Sequence, residues 1–380
     1  RDAVRWALNG GRRALFESFG LGKTVQELEF CRQVVRHEGG QALLVLPLGV
    51  RQEFVRDAQD LLHMDPPVYV RTMAEVKACS APLVMTNYER VRDGDIDPQY
   101  FCCTSLDEAS VLREFGSKTY QTFLEKFSGV KYKLVSTATP SPNRYKELIH
   151  YAGYLEIMDT GQALTRFFQR DSTKANNLTI YPHKEEEFWL WVSTWALFIT
   201  KPSDLGYDDA GYDLPPLEVR THVIYHDYNQ VEEADGQRMV DRDTAMSLKE
   251  AAREKRESID ARVAKAAEIV SSDPDAHFIL WHDLEAERHA LKKAIPGVVD
   301  IYGSMDYDKR EQRVLQFANG ECRLFATKKS LSGSGCNFQR HCHRAIFVGI
   351  SYEFNDFIQA IHRIYRFLQT ERVIIDLIYT

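Results

Sequence analysis

The chain has 380 residues, and its balance of 44% hydrophobic and 27% charged residues excludes a protein that is disordered throughout. This length indicates two domains, each large enough to bury its own core. The formal net charge of -7 excludes nucleic-acid binding by overall positive charge, but it allows a local basic cleft. Seven cysteines without regular spacing favour a reducing compartment, which we expect to be the cytoplasm.

Apolar runs of strand length alternate with helical patterns through residues 1–150. This alternation predicts a parallel sheet with helices on both faces. The predicted strands are residues 42–47, 82–86, 100–106 and 132–136, and the predicted helices are residues 25–37, 50–62 and 119–127.

A second alternation follows a middle segment of different character. Residues 141–202 favour helices. They include the most apolar run, residues 188–200, which is too short to span a bilayer and predicts a buried helix, so we expect no membrane partner. Residues 246–270 predict a long helix. Beyond it the predicted strands are residues 277–281, 298–302, 323–326, 345–348 and 373–378, and the predicted helices are residues 284–294, 307–318 and 352–367.

These patterns predict an α/β protein with two lobes. We expect lobe 1, with a helical extension, over residues 1–202. Residues 203–245 are expected to form a linker, rich in Pro and Gly at its start, and the first strand of lobe 2. Lobe 2 is expected over residues 246–380. Because the sequence starts without methionine and ends in a predicted strand, we expect it to be a fragment of a longer protein.

A glycine-rich loop precedes the first of these predicted helices. Gly20 and Gly22 allow backbone N–H groups to turn toward phosphates at a helix N-terminus, and Lys23 and Thr24 follow at once. Lys23 would reach the β- and γ-phosphates, and the Thr24 hydroxyl would bind Mg²⁺. The full P-loop pattern is not met, since Glu17 occupies its first Gly position. A structural turn beside an exposed lysine is the alternative interpretation.

An acidic pair follows the predicted strand at residues 100–106. In an open parallel sheet, ligands collect at the carboxyl ends of the strands. Asp107 is therefore placed to bind Mg²⁺, and Glu108 is placed to act as a general base on water. The alternative is a solvated surface pair, which the preceding apolar strand disfavours.

Together with further motifs in the same order, these residues resemble the superfamily-two helicases, and within them the Swi/Snf-like translocase branch. The overall pattern of these motifs is similar to that of DEAD/DEAH helicase-like proteins of phages and prophages and of some restriction systems. The motifs of the first half are FGLGKT (19–24), LVLPL (44–48), VMTNYE (84–89), LDEAS (106–110) and STATP (136–140). Those of the second half are YGS (302–304), SGSGCNF (332–338) and QAIHRIYR (359–366).

The resemblance implies two tandem RecA-like lobes that bind ATP and Mg²⁺. Arg363 and Arg366, three residues apart on a predicted helix, share one face and would complete the ATP site from lobe 2, with Gln359 beside them. The sixth motif departs from the family pattern at Leu368, where the translocase branch has Gly. The resemblance further implies nucleotide contacts from Gly333 and Gly335, coupling by Thr137, Ala138 and Thr139, and nucleic-acid contacts from Pro47, Thr86, Asn87, Thr327, Lys328 and Lys329.

The sequence thus predicts a nucleic-acid-stimulated ATPase that translocates on double-stranded DNA. A strand-separating helicase on DNA or RNA is one alternative, and a scaffold that binds nucleic acid without hydrolysis is another. The resemblance also implies a role in a phage or restriction system, with a nuclease or methyltransferase module in a missing part of the chain or on a separate subunit.

Overall fold

The computed structural model of the chain describes residues 1–141, 144–170, 178–224, 255–332, 337–349 and 354–380. The chain divides into two compact units: unit 1 is Arg1–Tyr212 and unit 2 is Asp213–Thr380.

Unit 1 is built on a parallel sheet. Its strands are β1 (Arg12–Glu17), β2 (Ala42–Leu46), β3 (Val68–Tyr69), β4 (Leu83–Asn87), β5 (Cys103–Leu106), β6 (Tyr132–Ser136), β7 (Phe168–Arg170), β8 (Leu178–Ile180) and β9 (Ala196–Ile199). The main sheet has the order β3-β4-β2-β5-β6-β1-β9, and β7 and β8 form a separate antiparallel pair. The strand β6 therefore lies between β1 and β5, with parallel pairing on both sides.

The helices of unit 1 cover both faces of this sheet. They are α1 (Asp2–Gly10), α2 (Lys23–Glu38), α3 (Arg51–Asp60), α4 (Met73–Ala78), α5 (Tyr88–Asp93), α6 (Lys118–Lys126), α7 (Leu148–Tyr154), α8 (Thr160–Phe167) and α9 (Glu185–Ser193). Successive residues of β2 alternate between two hydrophobic clusters: Leu43 and Val45 belong to one, and Leu44 and Leu46 to the other. A strand that is apolar on both faces must be covered on both, which explains its unbroken apolar run.

Unit 2 repeats the same plan. Its strands are β10 (Leu217–Val223), β11 (His277–His282), β12 (Val299–Asp300), β13 (Leu324–Lys328), β14 (Cys342–Phe347) and β15 (Val373–Tyr379), in the order β10-β15-β14-β11-β13-β12. The strand pairs are parallel. The helices are α10 (Ile259–Ser272), α11 (Glu285–Ala294), α12 (Tyr307–Ala318), α13 (Lys329–Ser332) and α14 (Phe354–Ile361).

The strand β11 shows that this sheet is also covered on both faces. Phe278 and Leu280 pack into one hydrophobic cluster, whereas Ile279 and Trp281 pack into another. The predicted fold class is confirmed, since two α/β lobes follow one another along the chain, each with a parallel sheet between layers of helices.

The prediction of one buried helix over residues 188–200 is wrong. The helix α9 ends at Ser193, and β9 then pairs with β1 at the edge of the sheet. Residues 188–200 are apolar in both α9 and β9, so the composition of this run did not show where the helix ends. Trp195, at the turn between them, is fully buried and lies 5.5 Å from Trp191 between ring centroids.

The helix predicted over residues 352–367 is shorter in the structure. It ends at Ile361 within the described residues. Turns follow, in which bonds from residue i to i−3, such as Arg363 N–H to the carbonyl of Ala360, are mixed with bonds to i−4. Of the long helix predicted over residues 246–270, residues 246–254 lie outside the described part, and α10 begins at Ile259. Among the helices that the structure describes, none combines the length and apolar character needed to cross a bilayer.

We expect one buried histidine of unit 2 to make stability depend on pH. His282 is fully buried, and neither ring nitrogen has a hydrogen-bond partner among the described residues. Burial lowers the pKa of His282 to about 4, against the opposing charges of Glu287 and Glu285. Because the pKa is lower in the folded state, stability is complete above the unfolded pKa of about 6.5 and is lost as the pH falls toward 4.

The expected loss is about 3 kcal/mol. Hydrogen exchange of the amides of β11, corrected for intrinsic rates, would measure it in the natural chain and in His282→Leu. The variant is expected to lose this part of the pH dependence. An identical pH dependence in both proteins would contradict the prediction.

Candidate nucleotide-binding site

The loop between β1 and α2, residues 18–22, presents a helix N-terminus. Gly20 and Gly22 have φ angles of 88° and 78°, which glycine adopts without strain. The first turn of α2 contains Lys23 and no acidic residue, and its N-cap residue is Gly22, which has no side chain to cap the helix. The positive end of the helix dipole and its N–H donors suit an anion.

Lys23 lies across this loop. Its Nζ donates to the carbonyl oxygens of Glu17, at 2.9 Å, and Ser18, at 3.1 Å, and it lies 5.7 Å from the centroid of the Phe19 ring. The ammonium group is thus held at the loop.

Glu17, the departure from the P-loop pattern, is the last residue of β1 and is buried. Its carboxylate accepts a hydrogen bond of 2.7 Å from Gln26 of α2, whose amide also donates to the carbonyl of Leu21. Burial raises the pKa of Glu17, and the charge of Lys23 opposes this. Glu17 therefore ties the strand before the loop to the helix after it.

Asp107 and Glu108 follow directly on β5. The backbone of Asp107 is fixed on both sides, since its N–H donates to the carbonyl of Val45 and its carbonyl accepts from Tyr88 Oη at 2.7 Å. Glu108 has a φ angle of 51°, which is uncommon for a residue with a side chain. Such strained backbone is found at functional sites more often than elsewhere.

Sequence reasoning missed a third carboxyl group, that of Glu27 on α2. It is fully buried, accepts hydrogen bonds from Ser105 Oγ (2.7 Å) and Ser136 Oγ, and contacts Asp107. Burial raises the pKa of Glu27 to about 7. The pKa of Asp107 is raised well above its usual value by burial and then by the charge of Glu27, while Lys23 lowers it. Burial and the closeness of the two carboxyl groups therefore both disfavour their ionised forms.

Two sequence signals could have shown this group. Glu27 comes four residues after Lys23, which places both on one side of α2. In addition, Ser105 and Ser136 place hydroxyl groups near the ends of β5 and β6 that meet at this site.

The predicted coupling motif contacts Glu108. Thr137 Oγ1 donates to Glu108 Oε1 at 3.3 Å and accepts from the N–H of Thr139 at 3.2 Å, with Ala138 between them. The N–H of Thr137 also donates to the carbonyl of Leu15 on β1. The segment after β6 thus contacts both the strand before the glycine-rich loop and the acidic pair.

The donors at this edge of the sheet fit Mg²⁺ and a polyphosphate. Mg²⁺ prefers oxygen ligands, and the buried Thr24 and Asp107 supply a hydroxyl and a carboxylate. Lys23 and the N–H groups of the loop supply positive charge and hydrogen-bond donors for phosphate oxygens.

The predicted nucleic-acid contacts of unit 1 lie along the same edge. Pro47 follows β2, and Thr86 and Asn87 end β4, which pairs with β2. Thr86 is fully buried, and its hydroxyl donates to the carbonyl of Val70 at 2.8 Å. In this structure the side chain therefore stabilises the fold. Asn87 donates to Glu89 at 2.7 Å.

In unit 2, Thr327, Lys328 and Lys329 lie where β13 ends and α13 begins. Lys328 Nζ is 2.8 Å from a carboxylate oxygen of Glu285, and Lys329 Nζ is 2.8 Å from one of Asp283. The hydrogen bond from Lys328 lowers the pKa of Glu285 to about 2. Each predicted lysine contact is thus paired with an acid, which the sequence did not show.

The predicted arginines lie in turns rather than on a helix. Arg363 and Arg366 follow the end of α14; Arg363 is buried, and Arg366 donates to the side-chain oxygen of Asn337. Gln359 is buried within α14. Leu368, which stands where the resemblance implies Gly, has a φ angle of 71°, the left-handed conformation that glycine adopts most easily. The predicted residues Gly333 and Gly335 lie outside the described part.

No protein-family model matches the chain, and no curated protein matches it. Among solved structures, the SWI2/SNF2 ATPase core of Sulfolobus solfataricus in complex with dsDNA is similar over 99% of this chain and 86% of that chain. The sequence identity is 17% and the TM-score is 0.45.

Proposed function

We propose that the chain is an ATP-driven motor that tracks along nucleic acid, with double-stranded DNA as its substrate. One observation carries the proposal: a helix N-terminus with Lys23, a buried Asp107 and a Glu108 held by Thr137 meet at the carboxyl ends of β1, β5 and β6. Phosphoryl transfer needs positioning and charge neutralisation more than covalent chemistry, and these residues supply both.

Each residue of unit 1 has a separate role in this proposal. Lys23 and the N–H groups of residues 18–22 bind the phosphates, and Thr24 and Asp107 hold Mg²⁺. When bound, Mg²⁺ neutralises charge on the phosphate oxygens. Glu108 orients the attacking water and accepts its proton.

Unit 2 contributes the remaining charges in the proposed cycle. Arg363 and Arg366, with Gln359, would act on the phosphates bound by unit 1, and Gly333 and Gly335 would contact the nucleotide. A guanidinium supplied only during turnover would link hydrolysis to movement.

Nucleic acid would be held through its phosphates. Pro47 and Asn87 of unit 1 and Lys328 and Lys329 of unit 2 are the proposed contacts, through backbone or side-chain groups. Such contacts position a strand without reading sequence. Given the net charge of -7, this binding must be local, and its affinity should fall steeply with salt.

ATP hydrolysis measured in parallel with single-stranded DNA, duplex DNA and RNA tests the proposal. We expect the largest stimulation with duplex DNA and a steep loss of stimulation between low and physiological salt. Stimulation by no polymer, or a flat salt dependence, would contradict it. Stronger stimulation by single strands, together with unwinding of a duplex, would favour a strand-separating helicase.

Lys23→Ala is expected to reduce stimulated hydrolysis about 10²- to 10³-fold, since it removes a charge aimed at the phosphates. Lys77→Ala, an exposed lysine on α4, is the matched control. Full turnover by Lys23→Ala would overturn the phosphate-binding assignment.

The narrower parts of the proposal are supported by the sequence motifs alone. They are membership of the Swi/Snf-like branch, a phage or restriction context and a nuclease or methyltransferase partner. A scaffold without hydrolysis is disfavoured because Lys23, Asp107, Glu108, Arg363 and Arg366 are all present.

A further inference from the structure

Glu27 is a buried carboxyl group that the proposed reaction leaves without a role. It is fully buried and lies on α2, one helical turn after Lys23. Burying a carboxyl group costs free energy unless hydrogen bonds compensate for the lost water. The hydrogen-bond partners of Glu27 therefore matter.

Those partners belong to the two strands that lead into the acidic pair and the coupling motif. Ser105 of β5 donates to Glu27 Oε2 at 2.7 Å, and Ser136 of β6 donates to Glu27 Oε1. Ser105 lies two residues before Asp107, and Ser136 directly precedes Thr137. One carboxyl group thus joins the helix that starts at the glycine-rich loop to the ends of both strands.

The contact extends to the proposed metal ligand. Ser136 Oγ also lies 3.4 Å from Asp107 Oδ1, so one hydroxyl is shared between the two acids. Thr24 lies on α2 and Asp107 follows β5. The position of the Asp107 side chain relative to Thr24 therefore depends on how α2, β5 and β6 pack together. Glu27 is bonded to all three through its own backbone and the two serines.

We propose that Glu27 is a positioning residue for the divalent-cation site. Through Ser105 and Ser136 it holds Asp107 at a fixed place beside Thr24 and Lys23. This inference rests on the proposed function, because it presumes a cation bound by Thr24 and Asp107. Residues that orient a metal ligand from behind commonly change metal affinity or activity by about 10- to 100-fold when replaced.

Two replacements separate this role from simple packing. Glu27→Leu keeps the size of the side chain and removes both hydrogen bonds. Glu27→Gln keeps a group that can accept from one serine and donate to the other. The matched control is Glu29→Leu on the same helix, where Glu29 pairs with Arg32.

The measurements use the whole chain and a fluorescent ATP analogue. The first is the affinity of the chain for the analogue in EDTA and at increasing Mg²⁺ concentrations. The second is the Mg²⁺ concentration that gives half-maximal ATP turnover. We expect Glu27→Leu to raise that concentration about 10- to 100-fold while affinity in EDTA stays unchanged. Glu27→Gln and Glu29→Leu should keep the natural Mg²⁺ dependence.

Ser136→Ala gives a milder test should Glu27→Leu fail to fold, since it removes only one hydroxyl. We expect its Mg²⁺ requirement to rise in the same direction by a smaller factor. A natural Mg²⁺ dependence in Glu27→Leu or, should that variant not fold, in Ser136→Ala would overturn the inference. Equal impairment of Glu27→Gln and Glu27→Leu would also overturn it, since charge would then be the cause. If the unmodified chain binds nucleotide without any Mg²⁺ dependence, the proposed function itself fails.

Discussion

Glu108→Gln is expected to reduce nucleic-acid-stimulated ATP hydrolysis about 10²- to 10⁴-fold, the contribution of a positioned general base. The amide has almost the shape of the carboxylate but cannot accept a proton from water. Thr137 Oγ1, which contacts Glu108 Oε1 at 3.3 Å, can keep that contact with the amide oxygen. Turnover should therefore be lost while the affinity for ATP is retained, which single-turnover kinetics and equilibrium binding would show.

The same change at Glu114, an exposed glutamate a few residues further on, is the control. It should leave hydrolysis unchanged. Normal turnover by Glu108→Gln would mean that another group activates water, and the assignment of the acidic pair would have to be revised.

Arg366→Ala is expected to reduce the rate of hydrolysis about 10³- to 10⁵-fold, the range for an arginine that stabilises charge in phosphoryl transfer. Nucleotide binding should change much less, because unit 1 supplies Lys23 and the loop. Stopped-flow binding and steady-state hydrolysis, measured on the same variant, would separate the two effects.

Arg372→Ala, which removes an exposed arginine paired with Glu218 at 2.8 Å, is the matched control. Asn337→Ala removes the side-chain partner of Arg366 and keeps the guanidinium. It should cost much less activity than Arg366→Ala. Unimpaired hydrolysis by Arg366→Ala would contradict the proposed role of unit 2 in catalysis.

The fold was predictable where the hydrophobic pattern and the length of a segment are compatible with one type of secondary structure. The strand β2 is a short unbroken apolar run, which is typical of a parallel sheet covered on both faces. The segment from α9 to β9 was not predictable in this way. Its aromatic and aliphatic residues suit either a helix or a strand, and pairing of β9 with β1, far away in the sequence, decides the outcome.

The site was predictable in its local motifs and not in its distant contacts. Lys23, Asp107 and Glu108 follow strand-ending patterns that place them at one edge of the sheet. Glu27 was missed because α2 contains several other polar and charged residues, and its spacing from Lys23 does not by itself show that it is buried. Its burial depends on Ser105 and Ser136, 78 and 109 residues away. The turns that contain Arg363 and Arg366 likewise depend on tertiary contacts, which the local spacing of hydrophobic residues does not show.

The acid partners of Lys328 and Lys329 bear on how strongly the proposed motor would hold nucleic acid. A phosphate that approaches either ammonium group would meet the negative charge of Glu285 or Asp283 beside it. Part of the attraction would therefore be offset, and each phosphate contact would be weaker than one made by an unpaired lysine. We expect this arrangement to favour short-lived contacts over tight binding. This suits an enzyme that must release each phosphate before it can move to the next.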